Sequence, residues 1–152
     1  MEMLARDIMI KDVKVVHPHD SIEDVAQILM ENGISGLPVV NEEQELVGII
    51  TEGDLIFQNK KITPPAFVEI LGALITLGSQ EQYFKELKRT MATSVEQLME
   101  KDVITANPAD TVQEVATLMV DKKVNRLPVV EGKTVIGIIT RQDLIRAVHK
   151  NK

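Results

Sequence analysis

The chain has 152 residues, of which 44% are hydrophobic, 26% charged and 3% aromatic, and its formal net charge is −6. An acidic chain with so few aromatic residues lacks the basic face and the stacking platforms of nucleic-acid binders, and the absence of cysteine excludes disulfides and thiol catalysis. No apolar run is long enough to span a bilayer and no secretory pattern opens the chain, so we expect a cytoplasmic protein with no nucleic-acid or membrane partner.

The first sixty residues predict one unit of the order β-α-β-β-α. A short apolar strand, 13–16, ends before a proline, and the helix after it shows apolar residues at 3,4 spacing and ends at Gly33. Two runs rich in β-formers, 37–40 and 46–50, flank a polar turn and predict a hairpin. A second helix is expected to begin near Asp54.

The next segment, 60–92, has its own pattern and is predicted to be a helical insert. A first helix is expected from Pro64 to Gly78, because proline suits a first helical turn and glycine an end. Its apolar stripe consists of Phe67, Ile70, Leu71, Leu74 and Ile75. Ser79 begins a second helix with a capping pattern. The stripe either packs on its own module or forms a partner surface.

The whole unit then recurs about ninety residues later, in register. The Leu-Pro-Val-Val run at 37–40 returns at 127–130, and Gly-Ile-Ile-Thr-x-x-Asp at 48–54 returns at 137–143. These strands are apolar on both faces, so each copy needs the other to cover its sheet. The predicted fold is α/β (α+β), with two pseudo-twofold-related repeats. The predicted division is 1–59 for repeat 1, 60–92 for the insert and 93–152 for repeat 2.

These two motifs, each present twice, resemble the cystathionine β-synthase (CBS) domain family arranged as a tandem pair. The resemblance implies two clefts between the repeats that bind AMP, ADP, ATP or S-adenosylmethionine, with no cofactor required. It also implies a homodimer of such pairs that regulates another protein, here unknown.

The twin Thr-x-x-Asp corners, Thr51 with Asp54 and Thr140 with Asp143, are the main candidate site residues. A carboxylate at a strand-to-helix turn can accept hydrogen bonds from both ribose hydroxyls, and the Thr hydroxyl and free helix amides can meet phosphate. Arg126 could hold a phosphate. Adenine is expected to lie against Val13, Ile34, Val103 and Val124, and the remaining candidates are Lys14, Ser35, Ile104, Asn125, Pro128 and Arg141.

Structural alternatives stand beside these roles. Asp54 and Asp143 could serve only as helix N-caps, and Arg126 could form a surface ion pair. Gly36 stands at the position that matches Arg126, so the two clefts are not equivalent. The sequence contains no catalytic motif, and His17 and His19 do not belong to a pattern with the spacing of metal ligands. The sequence therefore predicts a non-catalytic nucleotide sensor or, alternatively, a structural dimerisation module with empty clefts.

Overall fold

The computed structural model describes the backbone of residues 2–64, 66–70 and 72–150. Repeat 1 contains α1 (Ala5–Ile8), α2 (Ile22–Asn32), β1 (Gly36–Val40), β2 (Leu46–Thr51) and α3 (Glu52–Phe57). The segment between the repeats contains β3 (Ala66–Ile70), β4 (Ala73–Leu77) and α4 (Gln80–Thr90). Repeat 2 contains α5 (Val95–Leu98), α6 (Val112–Lys122), β5 (Arg126–Glu131), β6 (Thr134–Thr140) and α7 (Arg141–Lys150).

The long helix of each repeat begins and ends where its capping residues predict. The Ser21 hydroxyl accepts a hydrogen bond from the Asp24 amide in α2, and Thr111 does the same at the start of α6. Gly33 ends α2 in the left-handed conformation with φ of 60°. Lys123 takes the same conformation after α6, with φ of 56°, although a side chain disfavours it. The predicted helices and the Gly33 cap are confirmed.

Each repeat folds its two central strands into an antiparallel hairpin. Leu37 pairs with Ile50 in the β1–β2 hairpin, and Leu127 pairs with Ile139 in the β5–β6 hairpin. All five residues of β1 are buried, as expected for strands that are apolar on both faces. The predicted strand 13–16 is wrong in extent, because Val16 bridges to Val39 of β1 while residues 13–15 belong to no strand.

The repeats exchange their leading segments, which the sequence did not predict. Ile10 exchanges two backbone hydrogen bonds with Ile138 of β6, at 2.8 and 3.0 Å. Glu100 does the same with Ile49 of β2, at 2.8 and 2.9 Å. Helix α1 accordingly buries Ala5 in the core of repeat 2, and α5 buries Val95 and Leu98 in the core of repeat 1. Each hydrophobic core therefore contains residues from both copies.

Two glycines make room for these crossing segments. A Cβ atom on Gly48 of β2 would lie 3.0 Å from the Glu100 carbonyl oxygen and closer still to the Met99 sulfur. A Cβ atom on Gly137 of β6 would overlap the Met9 side chain in the same way. Because the backbone passes this closely, glycine is required at the same position of both repeats.

The segment between the repeats is only partly helical. The predicted helix from Pro64 to Gly78 is wrong, because 66–70 and 73–77 form the β3–β4 hairpin around Gly72, which has φ of 81°. The pattern of the apolar runs misled the prediction, since short runs of this kind fit a helix or a strand equally well. The second predicted helix is confirmed: α4 begins after Ser79, whose hydroxyl accepts from the Gln82 amide. Leu71 and the side chains of the other stripe residues lie outside the described part, so their packing stays a prediction.

Candidate functional site

A cavity of about 540 Å³ lies between the repeats, within the size range of small-molecule pockets. Repeat 1 lines it with residues of the segments 10–14 and 33–36 and with Glu52, and repeat 2 lines it with residues of the segments 125–126 and 138–146. Nine predicted site residues line it, namely Val13, Lys14, Ile34, Ser35, Asn125, Arg126, Thr140, Arg141 and Asp143. The fold therefore brings polar candidates from both repeats to one cavity.

The other six predicted residues do not line this cavity, and the ligand roles of all fifteen stay predictions. They are Thr51, Asp54, Val103, Ile104, Val124 and Pro128. Pro128 is buried in β5, and Ile104 and Val124 pack against the core of repeat 2. Five of the six occupy sequence positions equivalent to residues that do line the cavity, so they belong to the corner related to it by the pseudo-twofold.

Asp143 combines helix capping with access to the cavity. Its Oδ2 atom accepts hydrogen bonds from the Thr140 amide at 2.9 Å and the Thr140 hydroxyl at 2.8 Å. Its Oδ1 atom has a weaker neighbour, Arg146 Nη1 at 3.5 Å. Asp143 is the third residue of α7, so it caps the helix from within the first turn. The expectation that it occupies the N-cap position is wrong. Because capping uses mainly Oδ2, Oδ1 can accept hydrogen bonds from a ligand.

Arg126 lies across the boundary between the repeats. Its Nη2 atom donates a hydrogen bond to the Ser35 hydroxyl of repeat 1, at 2.5 Å, rather than to a carboxylate as in a surface ion pair. The guanidinium lies against Gly36, where a Cβ atom would come within 2.8 Å of Nε. Burial lowers the pKa of Arg126, and the charges of Glu52 and Asp54 act against that shift. Gly36 and Arg126 occupy matching positions in the two copies, and they pack directly against each other.

Charge at the cavity is mixed, with a small excess of cations. The cationic side chains are Lys14, Arg126, Arg141 and Arg146, and the carboxylates are Asp12, Glu52 and Asp143. Arg146, Asp12 and Glu52 were not predicted. Arg146 lies three residues after Asp143 on α7, so helical spacing could have identified it. Glu52 reaches the cavity from the opposite repeat, and no local sequence pattern indicates that.

The corresponding corner of repeat 1 is arranged differently. Asp54 Oδ2 accepts from the Thr51 amide at 2.9 Å and from its hydroxyl at 3.3 Å, so here too the aspartate is a third helical residue rather than an N-cap. Its Oδ1 atom accepts a hydrogen bond from Arg89 of α4 at 2.8 Å. Both carboxylate oxygens of Asp54 are therefore engaged within the protein.

Within the described ranges, no three His, Cys, Asp or Glu side chains are grouped closely enough to hold a metal ion. His17 instead lies 3.8 Å from Asp20, and His19 lies 4.0 Å from Glu96. None of the helices in the described part combines the length and apolar character needed to cross a membrane.

Comparisons with known proteins agree with this architecture. The chain is 37% identical to the uncharacterized protein MJ1426 of Methanocaldococcus jannaschii, covering 96% of this chain and 91% of that protein. The structure of CBSX2, a CBS-pair protein of Arabidopsis thaliana, in complex with AMP superposes with a TM-score of 0.81 at 26% identity, covering 99% of both chains. The CBS domain pair of protein MJ0100, in complex with 5′-methylthioadenosine and S-adenosyl-L-methionine, superposes with a TM-score of 0.74 at 27% identity over the full length of both.

Some curated relatives are much longer than this chain, which spans 23% of an inosine-5′-monophosphate dehydrogenase from Korarchaeum cryptofilum. The similarity is thus to one part of that enzyme. The sequence model of the CBS domain matches residues 5–59 and 95–150, the two copies described above. The chain therefore belongs to the CBS domain family and carries a tandem pair of CBS domains.

Proposed function

We propose that this protein is a regulatory module without catalytic activity that binds an adenosyl ligand in the cavity at Asp143. The observation that carries the proposal is the convergence of Asp143, the start of α7 and Arg126 on one cavity with walls from both repeats. Solved relatives in complex with AMP, or with 5′-methylthioadenosine and S-adenosyl-L-methionine, support the ligand class.

Different residues of the cavity bind different parts of the ligand. Asp143 Oδ1 accepts hydrogen bonds from the ribose hydroxyls, and a bond to a charged acceptor contributes about 1.5–3 kcal/mol. Val13 and Ile34 supply apolar surface for adenine. Arg126 and Arg141, with the positive N-terminal end of α7, face the phosphate. The excess of cations favours AMP, ADP or ATP over S-adenosylmethionine, which carries a positive charge of its own.

Regulation follows from the position of the cavity between the repeats. A ligand that contacts both walls favours one arrangement of the two repeats over others, and a partner protein can respond to that arrangement. A micromolar ligand supplies about 8 kcal/mol of binding free energy at the standard state. Only the part that differs between the two arrangements shifts their populations.

The test compares thermal melting and calorimetric titration of the wild type, Asp143→Asn and Asp54→Asn with AMP, ADP, ATP and S-adenosylmethionine. Ligand at a hundredfold its dissociation constant should stabilise the wild type by about 2.7 kcal/mol. Asp54→Asn should respond equally, since Asp54 does not line the cavity. Asp143→Asn should bind at least about tenfold more weakly, a loss of one charged hydrogen bond. Equal weakening by both variants, or no response to any ligand in the wild type, would contradict the proposal.

A dimerisation module with empty clefts is the second candidate, and exposed apolar side chains favour it. Met30 and Val120 are 77% and 74% exposed, and Ile56 and Ile145 are 69% and 58% exposed. Each pair occupies the same position in the two repeats, so the molecule presents related apolar patches on its two halves. Light scattering at micromolar concentration should give a dimer mass, and a monomer mass would exclude this second candidate. Dimerisation and ligand binding are compatible with each other.

A further inference from the structure

We infer that Arg89 of α4 closes the Thr51–Asp54 corner to ligands, so that each chain binds one adenosyl ligand rather than two. This inference rests on the proposed function, because it decides which of the two twofold-related corners is available. It makes Arg89, a residue outside both repeats, the determinant of how many ligands the chain accepts.

The hydrogen bonds of the two aspartates differ at one oxygen. In both corners Oδ2 accepts from the threonine three residues earlier. At Asp143, the one cation near Oδ1 among the described residues is Arg146, at 3.5 Å. At Asp54, Oδ1 accepts a direct bond from Arg89 Nη2 at 2.8 Å. Both carboxylates are largely buried, with 7% of the Asp143 and 15% of the Asp54 side chain exposed, so the corners differ in this hydrogen bond and not in exposure. A ribose diol would need the oxygen that Arg89 already holds.

Arg89 is held in place by more than the ion pair. Its guanidinium carbon lies 4.1 Å from the centre of the Phe57 ring, a cation–π geometry. Phe57 occupies the position in α3 that Arg146 occupies in α7. The first repeat thus has a ring where the second has a cation, and the ring supports a cation that comes from α4.

Side chains just after α3 hold the helix that carries Arg89 in place. The Gln58 side chain donates a hydrogen bond to the Ala92 carbonyl oxygen at 2.8 Å, just beyond α4. Lys60 pairs with Glu86 of α4 at 3.5 Å and lies 5.3 Å from the centre of the Phe57 ring. These contacts lie on both sides of Arg89 in the sequence. They fix α4 over the corner, so Arg89 is not a freely moving surface side chain.

The positions of repeat 1 that match Lys14, Arg141 and Arg146 of the cavity carry no cation, and among the described residues Arg126 is the one cavity cation whose charge interacts with Asp54. Ile104, Glu52 and Phe57 occupy the positions equivalent to Lys14, Arg141 and Arg146. A ligand phosphate would therefore find few partners there even without Arg89. Removal of Arg89 should expose a site for an uncharged nucleoside, which binds through its ribose hydroxyls, rather than a second site for AMP.

Adenosine is therefore the probe, and the measurement is the number of adenosine molecules bound per chain in equilibrium dialysis at saturation. The wild type should bind one, and Arg89→Gln should bind two. The double variant Arg89→Gln with Asp54→Asn should return to one, because the new site has lost its acceptor. Lys88→Gln removes the same charge from an exposed neighbouring position of α4 and should stay at one.

The outcomes separate the two proposals. Equal numbers in the wild type and Arg89→Gln, whether one or two, overturn the closure by Arg89 and leave the proposed function standing. If neither the wild type nor Arg89→Gln binds any adenosyl compound, the proposed function itself fails. The number of adenosine molecules that the wild type binds is a test by itself, because two per chain would contradict the closure whether or not Arg89→Gln folds. A single wild-type site that is lost in Asp54→Asn and kept in Asp143→Asn would place the ligand at the corner that Arg89 is inferred to close.

Discussion

Replacing Gly36 by alanine tests the contact between the repeats at Arg126. Gly36 lies in the regular strand β1 and has no positive φ, so an alanine fits the backbone without strain. The new methyl would lie 2.8 Å from Arg126 Nε and 2.9 Å from its Cδ and Cζ atoms. Carbon contacts prefer about 3.5–4.0 Å, so the guanidinium must move by roughly 0.7 Å or more. That shift moves the guanidinium out of its position against Gly36 and changes its hydrogen bond to Ser35.

The expected consequence is a selective loss of affinity for phosphorylated ligands. A displaced guanidinium forfeits a charged hydrogen bond of about 1.5–3 kcal/mol, which corresponds to roughly 10- to 150-fold in dissociation constant. Adenosine has no phosphate and should bind within about threefold of its wild-type affinity, a change of about 0.7 kcal/mol or less. Isothermal titration of AMP and adenosine measures the ratio directly.

Gly53→Ala is the matched control, because its Cβ atom would meet only Thr51 Oγ1, at an ordinary 3.5 Å. It should leave both affinities unchanged and stabilise α3 by up to about 1 kcal/mol. Unchanged AMP affinity in Gly36→Ala, or equal losses for AMP and adenosine, would show that Arg126 does not hold the phosphate.

Two further predictions concern stability and are measured by urea unfolding. Gly48→Ala and Gly137→Ala should each lower the free energy of unfolding by about 1–3 kcal/mol, because the added methyl overlaps a crossing methionine. A change within about 0.5 kcal/mol in both, as at an ordinary surface site, would argue against the exchange of leading segments. Lys123→Gly should raise the free energy of unfolding by about 1 kcal/mol, since glycine adopts the left-handed conformation after α6 without a Cβ penalty. A lower stability than wild type would mean that the Lys123 side chain makes a compensating contact.

Local pattern was enough to predict the helices and hairpins of the repeats. The Ser21 and Thr111 caps, the Gly33 terminus and the twin Leu-Pro-Val-Val strands all lie where the sequence indicates. The β3–β4 hairpin was missed because five-residue apolar runs around a glycine carry no decisive period. The long helices and the central hairpins of the repeats depend on neighbours close in sequence, which is why the prediction succeeded there. The leading segments pair with the opposite repeat, and local pattern could not predict that.

The ligand roles of the site residues stay predictions. The sequence indicated from Gly36 and Arg126 that the two clefts differ, but it did not indicate that Arg89 binds at one of them. The two Thr-x-x-Asp corners look alike in the sequence, yet one lines a cavity and the other binds an arginine 35 residues further along the chain. Arg89 lies in a segment with no counterpart elsewhere in the chain, so comparison of the repeats could not reveal it. Glu52 was missed for a related reason, since it reaches the cavity from the opposite copy.

The crossing of α1 and α5 into the opposite cores couples the folding of the two repeats. Neither repeat forms a complete hydrophobic core by itself: Ala5, from the start of the chain, completes the core of repeat 2, and Val95 and Leu98, which follow the insert, complete the core of repeat 1. Opening either core must therefore release a segment whose continuation along the chain belongs to the other core. A small molecule that contacts both repeats would thus stabilise both cores against unfolding.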